Sequence, residues 1–309
     1  MSVCVRLMKR DDWNAVAEVI HSSLNAWYLK NRGFKLVPGP VETMLLFPRI
    51  YEALDPDSCV LVEDRDAGRI AGSCFFHVRP THVSLGILNV HPDYFGRRVA
   101  ATMLKYVIAK ADSLQLPLRL VSSAMNLDSF SLYNRYGFSP YATYQDMTLT
   151  VPKGGFPVGV PEGWHLRPAT LDDVAGMVAL EKELCGIERS KDFRFFIENQ
   201  HEIWRTSLVV NDVSGKIDGF TASVCDPGSN MIGPGVARHD DLMAALIRHE
   251  LNAYEGRSPV WLVPTDHFPL RQAMYVLGAK NCEIHFAQSL GPVTPPAGVV
   301  LPTFMPESG

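Results

Sequence analysis

Residues 6–13, Arg6-Leu-Met-Lys-Arg-Asp-Asp-Trp13, return in altered form as Arg167-Pro-Ala-Thr-Leu-Asp-Asp-Val174, at a constant offset of 161 residues in a chain of 309. After each Asp pair the apolar residues fall at helical spacing: Trp13, Val16, Ala17, Ile20 and Leu24 first, then Val174, Met177, Val178 and Leu184. Paired carboxylates suit a helix N-terminus, where they accept unpaired backbone N–H bonds and meet the positive end of the helix dipole. A short strand leading into a capped helix therefore occurs twice, so the chain is expected to be built from two like halves.

The order of elements after each echo agrees. In the first half, strands are expected at 59–62, 69–78 and 81–90, a helix at 97–114, a strand at 116–121, a helix at 129–136 and a strand at 141–151. The second half repeats this with strands at 207–210 and 217–224, another ending near Ile232, a helix at 240–254, a strand at 260–263, a helix at 269–277 and a strand at 282–289. Residues 153–163 hold four glycines and two prolines and read as a linker. The expected organisation is a first domain at 1–152, the linker, a second domain at 164–290, and a proline-rich tail at 291–309 that is an extended wrap or a loose end. The fold class is α/β, each half a mostly antiparallel mixed sheet flanked by helices.

With 47% hydrophobic and 20% charged residues, both halves have the means to form a core. The net charge of −4 gives no global field for nucleic acid or anionic lipid, so any anionic ligand must be held locally. No apolar run is long enough to span a bilayer and the N-terminus meets charge early, which points to a cytoplasmic protein without a membrane partner. The six cysteines are scattered with no pattern suited to a metal and read as buried thiols. No Gly-x-x-x-x-Gly-Lys-Ser/Thr loop is present to hold a nucleoside triphosphate.

Two segments carry chemistry. In Leu88-Asn-Val-His-Pro-Asp-Tyr-Phe-Gly-Arg-Arg-Val-Ala-Ala-Thr-Met-Leu104 a strand enters a tight loop that opens into an amphipathic helix. Such a junction leaves the first helical N–H groups unpaired, ready for phosphate oxygens, and Arg97 and Arg98 add positive charge there. The bland alternative is a solvated loop with two surface arginines. In Asn126-Leu-Asp-Ser-Phe-Ser-Leu-Tyr-Asn-Arg-Tyr-Gly-Phe138, Asn126 follows a strand and Gly137 can stop a helix, while Tyr133 alone would read as a packed aromatic.

Together, at this spacing, the segments resemble the acetyl-CoA-binding motifs of the GNAT superfamily of N-acetyltransferases. Residues 90–104 are similar to its Val-x-Pro entry followed by Arg/Gln-x-x-Gly-x-Gly/Ala, and residues 132–138 to its Leu-Tyr-x-x-x-Gly-Phe signature. Phe95 stands at the Arg/Gln position and Arg98 at the middle glycine, while Ala100 keeps the terminal small residue. The resemblance implies that acetyl-CoA is bound by Leu88, Asn89, Val90, Phe95, Gly96, Arg97, Arg98, Val99, Ala100, Ala101 and Asn126, its arm lying between the strands at 88–90 and 121–123. It also implies that the Val90 N–H polarises the thioester carbonyl, that Tyr133 protonates the departing thiolate, and that an amine of a small molecule or peptide attacks directly without a metal.

No carboxylate lies in 81–90 to act as base; His77 and His82 are candidates, each read first as structural. Residues 26–34, read as a stretch between two helices, offer aromatics and, with Lys30, Arg32 and Lys35, cations for an acceptor with an anionic or flat group. The second half also resembles the superfamily, in a tandem variant with Gly233-Pro-Gly-Val-Ala237, but Asp240 and Asp241 stand where phosphates would lie and Met274 takes the tyrosine position. It is expected to be structural or to shape the acceptor site; the tandem variant it resembles implies, as the alternative, a site of its own. The rival reading is a non-catalytic acyl-CoA-binding or scaffold protein, favoured by Arg98 and the missing carboxylate. Oligomeric state, monomer or homodimer, is left open.

Overall fold

The computed structural model describes residues 3–307; positions 1–2 of the first expected domain and 308–309 of the tail lie outside the described residues. The first repeat runs β1 (Val3–Leu7), α1 (Trp13–Arg32), α2 (Leu46–Leu54), β2 (Cys59–Asp64), β3 (Arg69–Val78), β4 (Val83–Val90), α3 (Val99–Leu114), β5 (Leu118–Ser123), α4 (Leu127–Arg135) and β6 (Ser139–Thr148). The second repeats that order as β7 (Trp164–Pro168), α5 (Val174–Cys185), α6 (Ser190–Glu198), β8 (Trp204–Asn211), β9 (Ile217–Asp226), β10 (Ser229–Ala237), α7 (Asp240–Leu251), β11 (Val260–Pro264), α8 (Phe268–Val276) and β12 (Lys280–Leu290). The tail contributes β13 (Val299–Leu301). The fold is mixed α/β, as expected. Helices α2 and α6 were not in the periodic reading: α2, Leu-Phe-Pro-Arg-Ile-Tyr-Glu-Ala-Leu, is short and buries six of its nine residues, which obscures an amphipathic stripe.

The echo is a structural clamp. Arg6 forks onto Asp12 through Nη1 (2.7 Å) and Nη2 (2.8 Å), while Asp12 also accepts the Lys9 N–H. Arg167 and Asp173 repeat this at 2.7 and 2.6 Å, with the Thr170 N–H as the third partner. Each clamp ties the end of a strand to the first turn of the next helix, and the second Asp of each pair is the one used.

Cα packing divides the chain into two compact units, residues 3–78 with 82–118 and residues 79–81 with 119–307. Unit 1 is the antiparallel sheet β1-β2-β3-β4 with α1, α2 and α3. Its core includes Val16, Ile20, Ile50, Tyr51, Leu61, Phe75, Met103 and Val107. A side chain at Gly72 of β3 would meet Val99 and Met103 at 2.8 Å, so the glycine lets the start of α3 lie directly on the sheet.

Unit 2 has the strand order β5-β12-β6-β11-β10-β9-β8-β7. The last strands of the two repeats are exchanged: β12 inserts between β5 and β6, and β6 runs between β12 and β11. The core beneath includes Met147, Ile232, Leu246, Trp261, Val263 and Met274. The tail is a wrap, since β13 pairs antiparallel with β10 and Val299, Leu301, Thr303 and Met305 are buried.

The thiols are more mixed than expected. Cys59, Cys74 and Cys185 are buried, Cys4 and Cys225 are half-buried, and Cys282 is exposed near the start of β12.

The Arg167 fork holds the Asp173 carboxyl at about 2, below its ordinary 3.8. A depressed carboxylate pKa contributes stability that is present above the unfolded value and is lost as pH falls through the folded one. Asp173→Asn is expected to cost about 1 kcal/mol at pH 7, allowing for solvent screening around the part-exposed Arg167, with the difference from wild type shrinking from about pH 5 downward. Urea unfolding of both proteins across that range checks it. Leu301→Ala, which empties a site in the shared core, is expected to lose about 2–5 kcal/mol in the same assay.

Candidate active site

In unit 1 the register of β3 and β4 shifts between Leu88↔Cys74 and Leu85↔Phe76, so Gly86 and Ile87 together oppose Phe75. This is a β-bulge, and a side chain at Gly86 would lie 2.9 Å from the Phe75 carbonyl oxygen. Beyond it, the His91 N–H donates to the Ala71 carbonyl at 2.9 Å. Antiparallel pairs alternate between bonded and non-bonded, so the neighbouring Val90 and Gly72 form a non-bonded pair and Val90 turns its N–H and C=O away from β3. Asn89 is buried, with Nδ2 lacking a partner among the described residues.

The chain then makes a short 3-10 turn at Pro92–Tyr94. The Tyr94 hydroxyl donates to Asp64 at 2.9 Å and accepts from Arg69 Nε at 3.1 Å, and the Arg69 and Arg97 guanidiniums lie 5.0 and 5.5 Å from its ring centre. The anchored turn delivers Gly96 at φ +75° and Arg98 at φ +64° to the head of α3. The left-handed Arg98 is why the helix begins at Val99 rather than at 97. The first bond of α3 runs from the Thr102 N–H to the Arg98 carbonyl at 3.0 Å. The N–H groups of 98–101 have no partner among the described residues. The exposed Arg98 side chain likewise makes no hydrogen bond or ion pair among them. Phe95 is 48% exposed. A phosphate would meet main-chain donors, the helix dipole and two arginines here.

In unit 2, Asn126 caps α4: its Oδ1 accepts from the Ser129 N–H at 3.1 Å, a role sequence reasoning missed. Its Nδ2 has no partner among the described residues and remains able to donate. Tyr133, seven residues on, lies on the same face of the helix two turns away. It is 8% exposed, with its ring 5.7 Å from Phe138. Gly137 follows at φ +91°. Ser123 at the end of β5 donates to Glu283 of β12, so the second repeat places a carboxylate beside that strand. Strand exchange is the cause, and no local sequence pattern announces it.

Residues 26–32 are the last turns of α1 rather than a stretch between helices. The helix runs on until Gly33, at φ +78°, caps it, and Asn25 ties down the following loop by donating to the Val37 carbonyl and accepting its N–H, both at 2.9 Å. Trp27, Tyr28 and Phe34 form a chain of ring contacts there. His77 is buried against Asp55 at 2.8 Å, and buried His82 lies 3.1 Å from the Ser84 hydroxyl.

The matching positions of the second repeat differ. Strands β10 and β11 run parallel at Met231↔Val260 and Ile232↔Trp261, and β13 then takes the same edge of β10 over 235–237. At the head of α7, Asp240 binds His267 Nδ1 at 2.5 Å and accepts the Leu270 N–H at 3.1 Å, while Asp241 accepts the Leu242 N–H. Met274 is buried, whereas Tyr275 is 41% exposed with its hydroxyl bound by Gln145.

Replacing Arg98 by glycine removes the steric cost of the left-handed backbone and is expected to raise stability by about 1 kcal/mol; Gly96→Ala is expected to lower it by about as much. Opposite signs in denaturant unfolding check the pair.

An acetyltransferase (GNAT) family profile matches residues 22–138, and a GNAT acetyltransferase domain profile matches residues 177–283. No curated protein matches the chain. Among solved structures it is similar to a candidate acetyltransferase from Pyrococcus horikoshii, at 15% identity and a TM-score of 0.72 over 96% of this chain and 94% of that one. A GCN5-related N-acetyltransferase from Sphaerobacter thermophilus is 18% identical with a TM-score of 0.65, over 93% and 95% of the two chains. A tandem GNAT protein from the clavulanic acid biosynthesis pathway is 16% identical with a TM-score of 0.59, over 94% and 99%. The chain therefore belongs to the GNAT acetyltransferase family and carries that family's domain twice.

Proposed function

We propose that the protein is an N-acetyltransferase that moves an acetyl group from acetyl-CoA to a primary amine of a small molecule or peptide, by direct attack, with the machinery of the first repeat, 1–152. The observation that carries this reading is the set of unpartnered N–H groups at 98–101, at the head of a helix flanked by Arg97 and Arg98. Such donors suit the diphosphate of CoA. Six free cysteines suit a reducing, cytoplasmic setting.

Acetyl-CoA, when bound, supplies the acyl group and a thiol leaving group. The residues Leu88, Asn89 and Val90 offer a strand edge for its amide-rich arm, and the Val90 N–H is the donor for the thioester carbonyl. Gly96 to Ala101 hold the diphosphate, with Phe95 lending apolar surface beside it. Asn126 Nδ2 donates to the arm. Tyr133 holds a proton at its hydroxyl, and a phenol of pKa about 10 is matched to a thiol near 8.5.

The second repeat, 164–290, supports the acceptor side rather than binding a second cofactor. Its free strand edge is already taken by the chain's own tail, and Asp240 and Asp241 already use the head of α7.

Release of free thiol from acetyl-CoA is expected to accelerate on adding a suitable amine. Tyr133→Phe is expected to lower kcat by about a hundredfold or more while leaving the acetyl-CoA melting shift in place. A melting shift with no thiol release under any amine would instead establish the non-catalytic acyl-CoA-binding reading.

A further inference from the structure

Both histidines that the sequence offers as bases, His77 and His82, are fully buried. A third, His285 of β12, has the partners that proton transfer needs. Its Nδ1 lies 2.7 Å from the buried Asp146 carboxylate of β6. A carboxylate only accepts, so Nδ1 carries the hydrogen and Nε2 keeps the lone pair. Nε2 makes no hydrogen bond among the described residues and is not sealed off, since the side chain keeps 10% of its surface exposed. Burial raises the Asp146 carboxyl above its ordinary 3.8 against the pull of the His285 bond, so this carboxylate gains from an imidazolium beside it.

The His285–Asp146 pair stands at the end of β5. The Ala124 N–H donates to the Ile284 carbonyl at 2.8 Å and Gln288 donates to Ser122 at 2.7 Å, so β12 runs antiparallel to β5. That register sets His285 opposite Ser123, with the two side chains about 5 Å apart on one face. Ser123 also donates to Glu283, two residues from His285 and therefore on that face too. Phe286 points the other way, onto Phe130 of α4, with ring centres 5.5 Å apart. The helix that carries Tyr133 thus covers one face of this strand pair, and His285 and Glu283 occupy the opposite one. Met125 and Ile284 are exposed and Glu283 is half-buried, so this end of the pair is open to solvent.

We propose that His285 is the general base of acyl transfer, with Asp146 as its positioning residue; this rests on the acyl-transfer reading above. With the CoA arm along the end of β5 and α4 closing the thiol side, an acceptor has access from the His285 face, where Glu283 favours its ammonium. Nε2 takes one proton from that ammonium and passes it to solvent. The nitrogen lone pair then bonds to the thioester carbon, and the C–S pair leaves on sulfur, which takes the proton of Tyr133. The second nitrogen proton goes to Nε2, and solvent carries it back to the Tyr133 oxygen. Facing the ring are Asp146 and Tyr144 of β6, the latter kept protonated by burial, Glu283 of its own strand and the uncharged Ser123 of β5. The tail adds Phe304, with ring centres 4.7 Å apart, and Glu307 paired to it.

The test uses the full chain, acetyl-CoA, and hydrazine as a nucleophile small enough to need no acceptor pocket. His285→Gln is expected to lower thiol release at pH 7 about a hundredfold or more while keeping the acetyl-CoA melting shift, and Asp146→Asn to lower it about tenfold. The shortfall of His285→Gln is expected to shrink in acid, where the wild-type imidazole is itself protonated; taken as a ratio to wild type, it is independent of the ionisation of hydrazine. Added imidazole is expected to restore part of the rate to His285→Ala, above the enzyme-free rate, and to leave wild type unchanged. A His285→Gln rate within threefold of wild type, a shortfall that ignores pH, or no rescue by imidazole overturns the proposal. Nitrogen-15 spectra of wild type with CoA bound depend neither on turnover nor on how the variants fold: neutral His285 is expected as the Nδ1–H tautomer, and the Nε2–H tautomer overturns the proposal. Absence of the melting shift sinks the acyl-transfer reading, whereas the shift with thiol release indifferent to His285 sinks only this one; the shift with no thiol release overturns both.

Discussion

Two antiparallel strands of different parentage, β6 from the first repeat and β12 from the second, lie side by side from Ser139↔Ser289 to Thr148↔Lys280. That pairing is the constraint on which unit 2 rests. Each strand is the last of its own repeat, and each is placed within the other's neighbourhood, with β12 against β5 and β6 against β11. Removing either would bare strand edges on both sides, with their unpaired N–H and C=O groups. Duplication here has not produced two independent modules. It has produced one sheet that needs both copies, which explains how a residue of the second copy, Glu283, reaches the end of β5.

Much of this fold was legible from residues alone because it is local. The clamps Arg6–Asp12 and Arg167–Asp173 were visible as an echo, since a cap has to be written within a few residues of the helix it caps. The anchored loop at 91–98 was also local, and only the left-handed Arg98 moved the helix start by two residues. Strand exchange was not legible, because alternation says which face of a strand is buried and nothing about which strand lies beside it. The end of α1 falls later than expected because no glycine or proline interrupts residues 13–32, and the lone Gly33 is the terminator.

Arg119 is an instructive miss. Residues 116–121 read as a short buried strand, and a guanidinium inside a buried strand is itself a signal, since arginine is seldom buried without a partner. Sequence cannot supply the second half of that observation, which is whether the partner exists. Arg79 and Arg189 are equally buried and are matched by Asp192 and Glu181, the latter two residing on α6 and α5 of the second repeat. Arg119 differs in that its enclosed Nε has no partner among the described residues, which only folding reveals.

The two repeats meet the same physical problem in different ways. A strand that parts from its parallel neighbour leaves main-chain groups in need of partners. In the second repeat β10 parts from β11 after Ile232, and the chain answers with its own residues 299–301. The helix that follows answers likewise, with Asp240 and Asp241 engaging backbone donors in place of an external anion. In the first repeat the equivalent helix start carries no carboxylate and keeps its donors open at 98–101, and Val90 turns its own N–H and C=O away from β3. Under the proposed function those groups are completed by a ligand. The divergence between the copies is thus a division of the same main-chain chemistry: one copy satisfies these groups with its own residues, and the other keeps the helix-head donors of 98–101 open.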